Sequence, residues 1–409
     1  MVLLKPFRLF TPAQRHAYLA ALGGWSLDAF DFFIFVFCLR ALSSEFHTDL
    51  KAVSQGIFLT LAARPFGALA FGWLAEKYGR RPILMLNIIS YSAVQLLTAF
   101  APNLATLLAL RALFGFAMGG EWGVGAALAL ETLPARNRGF FSGILQVGYV
   151  LGYLLASVLF GAVFDLVGWR GLFAITSGSA LLVLYVRSRV EESPAWLAGA
   201  APHRASLSAI WSAVRVYFPM LCYLVLLMAC FNAFSHGSQD LYPTFLQVQH
   251  GFSTRTTASV TIVMNLGALA GGCCFGALSE RLGRRRTIAL AAVLASPVIP
   301  LWAYAQTAVL LALGGFLMQF MVQGAWGIVP AHLNELSPSA VRAILPGFAY
   351  QLGNLAMSKI GPFQAGIAAA RGGDFAYIMS WTTAVVAAAL ICVTLLGPEA
   401  RAVELKVTS

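Results

Sequence analysis

The sequence predicts an all-α membrane protein, with twelve transmembrane helices arranged as two six-helix halves. Three observations carry that prediction. The chain is 59% apolar and only 11% charged, far from the average of soluble domains. Apolar segments near or above the spanning length recur throughout, separated by short polar turns. A set of turn and hinge residues also recurs at an offset of 204, half of the 409-residue chain.

Taken in order, the predicted spans are about 17–38, 54–75, 82–101, 104–130, 139–164, 168–187, 216–247, 256–278, 287–305, 308–334, 343–369 and 375–397. With both termini inside, 19 of the 27 Lys and Arg fall in cytoplasmic segments and 5 in external loops. The other three, Arg64, Arg111 and Lys359, lie within spans. That skew satisfies the positive-inside rule, so the net charge of +11 is topology and requires no nucleic acid. Lys5, Arg8 and Arg15 precede a first segment too long and too rich in acid for a cleavable signal. The six cysteines sit in or at the ends of spans, with no disulfide framework and no metal-ligand spacing. Compact loops and the lack of a glycosylation acceptor point to a bacterial inner membrane.

The repeat is registered over several motifs. Gly72-Trp-Leu-Ala-Glu76-Lys77-Tyr-Gly79-Arg80-Arg81 returns as Gly276-Ala-Leu-Ser-Glu280-Arg281-Leu-Gly283-Arg284-Arg285. Gly120-x-Trp122-Gly123 returns as Gly324-x-Trp326-Gly327, and Glu131, Pro134 and Arg138 as Glu335, Pro338 and Arg342. One inserted residue later, Gln146-x-Gly148 matches Gln351-x-Gly353. The chain therefore divides into an N-terminal half (1–187), a cytoplasmic linker (188–215) and a C-terminal half (216–409), with a substrate site expected between the halves. The Gly-rich acid–base loops between spans 2–3 and 8–9 resemble, twice over, the loop signature of the major facilitator superfamily, with Glu76 and Glu280 where that signature has Asp. Glu76, Arg80, Glu280 and Arg284 are expected to form a conformational latch. Glu191-Glu-Ser-Pro194-Ala-Trp196-Leu resembles the loop after the sixth span of that superfamily in part, without its first proline and its arginine.

The intramembrane charges, by contrast, are private to one half. Asp28 maps onto Asn232, Asp31 onto Ser235, Phe32 onto His236 and Val36 onto Asp240. Arg64, Arg111 and Glu121 map onto Ala268, Gly315 and Ala325. Duplicated mechanics with unduplicated charges fit one asymmetric site. Asp28 lies about 18 Å into span 1 at 1.5 Å per residue. Asp28 and Asp31 suit either an ion pair with Arg64 or Lys359 or a transport role. Arg111, a planar cationic fork, is the expected cavity cation for a carboxylate. Glu121 fits a proton carrier or a helix-pairing group, and Lys359 a cavity role or charge pairing. His332 and Glu335, at the inner end of span 10, read as structural.

Asn232-Ala-Phe-Ser-His236-Gly-Ser-Gln-Asp240-Leu-Tyr-Pro243-Thr244 concentrates polar groups late in span 7. Asn232, His236 and Asp240 share a helix face at i, i+4, i+8. Either the helix ends there in water, or it breaks near Gly237 and Pro243 and lines a cavity. In the second case His236 and Asp240 form a pair able to share a proton.

This stretch matches the N-x-x-[ST]-H-x-[ST]-Q-D-x-x-x-T signature of Jen-type monocarboxylate permeases, in the sialate:proton symporter family. Trp25-Ser-Leu-Asp28-Ala-Phe-Asp31-Phe-Phe, Arg111-Ala-Leu-Phe-Gly115-Phe-Ala-Met-Gly119-Gly120, Gln323-Gly-Ala-Trp326-Gly, His332-Leu-Asn-Glu335-Leu-Ser-Pro338 and Tyr350-Gln351-Leu-Gly-Asn354-Leu also resemble that group. The resemblance implies twelve helices and proton-coupled uptake of lactate, pyruvate, acetate or a related monocarboxylate. It places Asn232, His236 and Asp240 on the proton and substrate path, with Gln351 lining the pore. Together with the reading of the residues it gives Arg111, Asn232, Gln351 and Lys359 as substrate-binding, and His236, Asp240, Asp28, Asp31 and Glu121 as proton-coupling. The partners expected are the acid, protons and the bilayer, with no cofactor, metal or nucleic acid, and a monomeric chain. A symporter of another organic acid, such as sialate or an aromatic acid, is the alternative. A membrane enzyme would need a nucleophile–base pair or metal cluster, a sensor would need a signalling domain after Pro398, and a multidrug exporter would not need a polar, titratable cavity.

Overall fold

The computed structural model describes residues 10–131, 138–197, 215–337 and 345–399. Ten of its helices are long and apolar enough to cross a membrane. Spans 1 to 4 are Pro12–Glu45, Leu50–Tyr78, Arg80–Ala99 and Leu104–Glu131. The apolar stretch Ile144–Arg189 runs for 46 residues, about 69 Å at 1.5 Å per residue and so twice a bilayer core. It turns back at Gly168, whose φ of +64° departs from the helix, giving span 5 (138–167) and span 6 (169–189). Span 7 joins Phe218–Gln239 to Tyr242–Val248, and span 8 is Thr254–Leu282. Span 9 joins Arg284–Ala295 to Ile299–Tyr304 through a turn, and span 10 joins Ala308–Trp326 to Val329–Leu336. Span 11 is Leu345–Met357 followed by Ile360–Ala370, each too short to cross alone; span 12 is Phe375–Leu396. The twelve-helix, two-half expectation holds.

The repeat extends to atoms. Asp49 Oδ1 accepts from Ala52 N at 2.6 Å at the start of span 2, and Ser253 Oγ from Thr256 N at 3.3 Å at the start of span 8. Asn103 and Thr307 cap spans 4 and 10 in the same way, at 2.9 and 3.3 Å. Each cap satisfies a backbone N–H that the first turn leaves open. Every one of these pairs is 204 residues apart. A Cβ at Gly67 would overlap the Phe116 carbonyl, and one at Gly271 the Phe320 carbonyl, so spans 2 and 4, and spans 8 and 10, approach backbone to backbone. Gly79 and Gly283 take φ of +106° and +92° at the turns after spans 2 and 8, a region glycine enters without steric cost.

Spans 1, 4 and 5 run unbroken, whereas their counterparts 7, 10 and 11 are each in two pieces. In span 7 the break falls at Asp240–Leu241, just after Gly237 and before Pro243. Every residue from Asn232 to Gln247 is buried, so the helix does not emerge into water there. The two halves meet closely at the end of the bundle opposite the Gly79 and Gly283 turns. Arg40 Nη1 donates to the Gln247 carbonyl at 2.7 Å, Thr254 Oγ1 to Asp165 Oδ1 at 2.6 Å, and Tyr153 OH to the Gln239 carbonyl at 3.2 Å.

Candidate functional site

Between the halves, near mid-membrane, the central group is Arg64 of span 2. Its guanidinium carbon stands 5.7 Å from the Trp25 ring of span 1 and 5.6 Å from the Tyr350 ring of span 11. It is fully buried, and among the described residues none of its three guanidinium nitrogens has a hydrogen-bond partner. Span 4 holds its backbone, since Gly119 packs directly on the Arg64 carbonyl. A buried cation whose donors are unspent is costly unless a partner arrives.

Trp122 of span 4 and Trp326 of span 10, the duplicated tryptophans, both meet Tyr350, at ring separations of 5.7 and 5.9 Å. Trp122 Nε1 donates to Gln146 Oε1 at 3.0 Å. Tyr149 of span 5 lies 5.7 Å from Trp25, with its hydroxyl buried and unpaired. The cation thus sits within a cluster of aromatic rings contributed by both halves.

The predicted acids fall into two groups. In the N-terminal half, Asp28 is the charge neighbour of Arg64, and Asp31 and Glu121 are charge neighbours of Asp28. Both carboxylate oxygens of Asp28 and of Glu121 are buried without hydrogen-bond partners. Asp31 Oδ2 accepts from Ser179 Oγ at 3.3 Å, and Ser179 in turn meets Ser92 at 2.8 Å. In the C-terminal half His236 Nδ1 and Asp240 Oδ2 are 2.9 Å apart, and Asp240 Oδ1 has no partner. The break in span 7 puts this pair at the joint. Phe32, the counterpart of His236, lies edge-on to it at 6.1 Å.

Glutamines of spans 10 and 11 pack against this part of span 7. Gln323 Nε2 donates to Ser235 Oγ at 3.2 Å and Gln319 Nε2 to Ser238 Oγ at 3.1 Å. Gln364 Nε2 donates to the Gly237 carbonyl at 2.8 Å. Asn232 is buried with both amide atoms unpaired. Gln351, next to Tyr350, is buried and accepts from Asn354 Nδ2 at 3.3 Å.

Two predicted binding residues are not brought to this cluster. Arg111 turns into its own half: Nη2 donates to Gln95 Oε1 at 2.9 Å and Thr98 Oγ1 at 2.7 Å, and its guanidinium is packed among Phe35, Phe114 and Phe173. Lys359 is exposed at the break in span 11, its ammonium 5.5 Å from the Phe58 ring. Sequence reasoning had Arg64 only as an ion-pair partner. The signal that could have singled it out is the shared aromatic setting, Trp25 and the duplicated Trp122/Trp326, none of which surrounds Arg111.

At the turns between spans 2 and 3 and spans 8 and 9, Arg284 donates to Glu335 at 3.1 and 3.0 Å, to Glu280 at 2.8 Å and to Ser279 at 2.7 Å. In the N-terminal half Glu192 accepts the backbone N–H groups of Arg80 at 3.0 Å and Arg81 at 3.1 Å. Glu399 likewise accepts from Arg285 N at 3.3 Å. These two carboxylates at helix starts were not anticipated. The side chains of Glu76, Glu131, Arg138 and Arg342, and most of the linker, lie outside what is described.

The Major Facilitator Superfamily model matches residues 21–358. A carboxylic acid transporter protein homolog of Saccharomyces cerevisiae is 30% identical over 84% of this chain, which spans 60% of that protein's length. A probable 4-methylmuconolactone transporter of Cupriavidus pinatubonensis is 32% identical, over 85% of this chain and 82% of its own. Among solved structures, that of a D-xylose-proton symporter superposes with a TM-score of 0.75 at 17% identity, covering 92% of this chain and 97% of that one; the likeness is one of fold.

Proposed function

Since this chain belongs to the major facilitator superfamily, we propose that it is a proton-coupled symporter importing lactate or a related short monocarboxylate, such as pyruvate or acetate, by alternating access. The broader part of this reading, transport of an organic acid, is supported by the names of the two relatives. The narrower part rests on the helix 7 signature and on one observation above all. Arg64 is a buried guanidinium with three unspent nitrogens at the contact between the halves. Its planar fork suits a single carboxylate.

In this mechanism the carboxylate pairs with Arg64 in place of the expected Arg111, between Trp25 and Tyr350, while Asn232 and Gln351 orient the rest of the molecule. Asp240 with His236 takes the proton, and Asp28, Asp31 and Glu121 hold the charge balance on the other side of Arg64. An anion loaded with a proton adds no net charge, so the closed site need not drag one through hydrocarbon. The halves, 1–187 and 216–409, then rock about the site. Arg284 and Arg80, with Glu280, Glu335 and Glu76, latch the cytoplasmic face. The chain works as a monomer in the bacterial inner membrane with both termini in the cytoplasm.

A second reading is favoured by the rings around Arg64. Five aromatic side chains, Trp25, Trp122, Tyr149, Trp326 and Tyr350, would also suit a bulkier organic acid such as an aromatic one. Proteoliposomes loaded at higher internal pH test the first reading: radiolabelled lactate should accumulate faster than without the gradient. Equal rates would end the coupling claim, and competition by benzoate or sialate in preference to pyruvate would select the second.

A further inference from the structure

Lys359 presents a problem that the central cluster does not solve. It lies fourteen residues from Leu345 and eleven from Ala370, so at 1.5 Å per residue it is about 16 Å below the outer end of span 11. An ionisable group at that depth ordinarily faces the bundle interior or a partner. Lys359 does neither. It is exposed, and among the described residues it has no ion pair.

It stands instead on a crevice of about 490 Å³ between spans 11 and 12, walled by Ile360, Phe363, Ile378, Trp381 and Val385. Phe363, Trp381 and Val385 are 53%, 57% and 59% exposed, so the crevice opens sideways, toward where acyl chains lie. The hydroxyl of Thr382 within it is already engaged by Gln364 and by two backbone carbonyls. The lining is otherwise apolar. Phe58, against the ammonium, belongs to span 2, so the crevice borders the lateral seam between the halves.

We propose that this crevice binds a long-chain fatty acid, with the acyl chain along Phe363, Trp381 and Val385 and the carboxylate on Lys359. The volume falls within the range of small-molecule sites. An apolar trough with one unpaired cation at its head is complementary to a single-chain anion. The depth selects the source: a phosphate headgroup is anchored at the interface, whereas a fatty acid crosses hydrocarbon as the neutral acid and so can bring its carboxyl group to Lys359. The proposal concerns a separate surface and does not depend on what the central site carries.

The test uses the full chain in nanodiscs and a photoreactive palmitic acid, with the labelled peptides read by mass spectrometry. Labelling is expected in the segment 357–386 and should be displaced by unlabelled palmitate. Lys359→Gln should weaken it by about tenfold, the scale of one charged hydrogen bond, and Lys359→Arg should restore it. Trp381→Ala should also weaken it, with the melting temperature of each variant recorded to separate lost binding from lost fold. Equal labelling of the wild type and a folded Lys359→Gln would overturn the proposal, as would displacement by phosphatidylglycerol but not by palmitate.

Discussion

Arg64 and Tyr350 touch across the two halves of the molecule, the guanidinium carbon 5.6 Å from the ring. Among the described residues none accepts a hydrogen bond from that guanidinium, so a bound carboxylate would be its hydrogen-bonding counterpart. Arg64→Gln is expected to raise the Kd for lactate by roughly thirtyfold or more, the cost of removing one partner of a buried charge pair. Arg64→Lys should recover only part of this, because an ammonium lacks the planar fork. Isothermal titration on purified protein reads both.

Arg111→Gln should behave differently. It withdraws a buried charge from Gln95 and Thr98 inside one half and leaves Asp31 without its nearby cation. Breaking a buried charged network costs about 3–5 kcal/mol. A markedly lower melting temperature, with near-normal lactate affinity in whatever protein stays folded, is the expected pattern. Unchanged stability with lost affinity would return the carboxylate to Arg111.

His236 and Asp240 meet at 2.9 Å at the joint of span 7. Asp240→Asn should abolish net uptake driven by a pH gradient while lactate–lactate exchange continues, since exchange needs no proton release. Loss of both would assign the pair to binding or folding. Exchange and net flux measured on the same vesicles decide the matter.

Gly67→Ala and Gly271→Ala each place a methyl group on a backbone carbonyl of the facing helix. Overpacking of this kind costs about 1–3 kcal/mol, and the two positions sit in equivalent contacts. Similar losses of thermal stability in detergent are expected from the two variants. A large loss from one and none from the other would show that the duplicated contacts no longer carry equal weight.

At the end of the bundle predicted to be external, Arg40 Nη1 holds the Gln247 carbonyl at 2.7 Å, and Cys38, two residues before it, is fully buried. Arg40→Ala should loosen that closure. Reaction of Cys38 with a membrane-impermeant maleimide, followed by peptide mapping, should rise several-fold. An unaltered rate would mean that the outer seam is held by packing alone.

Much of this architecture is legible in the chain because duplication writes the turns, caps and close-packing glycines twice. Glycines 79 and 283 and the acid–base turns announce the cytoplasmic loops, and the composition announces the bilayer. The broken span 7 was also readable, since Gly237 and Pro243 bracket the joint at Asp240–Leu241. Helix rotation was not. Arg64 and Arg111 are both lone arginines in apolar spans of the same half, and spacing within one helix does not say which neighbour it faces. Their roles separate only when Gly119 is seen locked on the Arg64 carbonyl and Gly115 on Thr60. The same holds for Lys359, whose outward direction depends on how span 11 resumes after its break.

Spans 7, 10 and 11 are jointed, and their counterparts 1, 4 and 5 are not. The two copies have therefore ceased to be interchangeable. A chain fused from two N-terminal halves would hold two copies of Arg64 and twice the buried acid, with no joint in spans 1, 4 and 5. One fused from two C-terminal halves would bend on both sides around a centre with no cation to receive a guest. Descent from a single ancestral unit has ended in a division of labour, an anvil and an articulated jaw, that neither copy could perform twice.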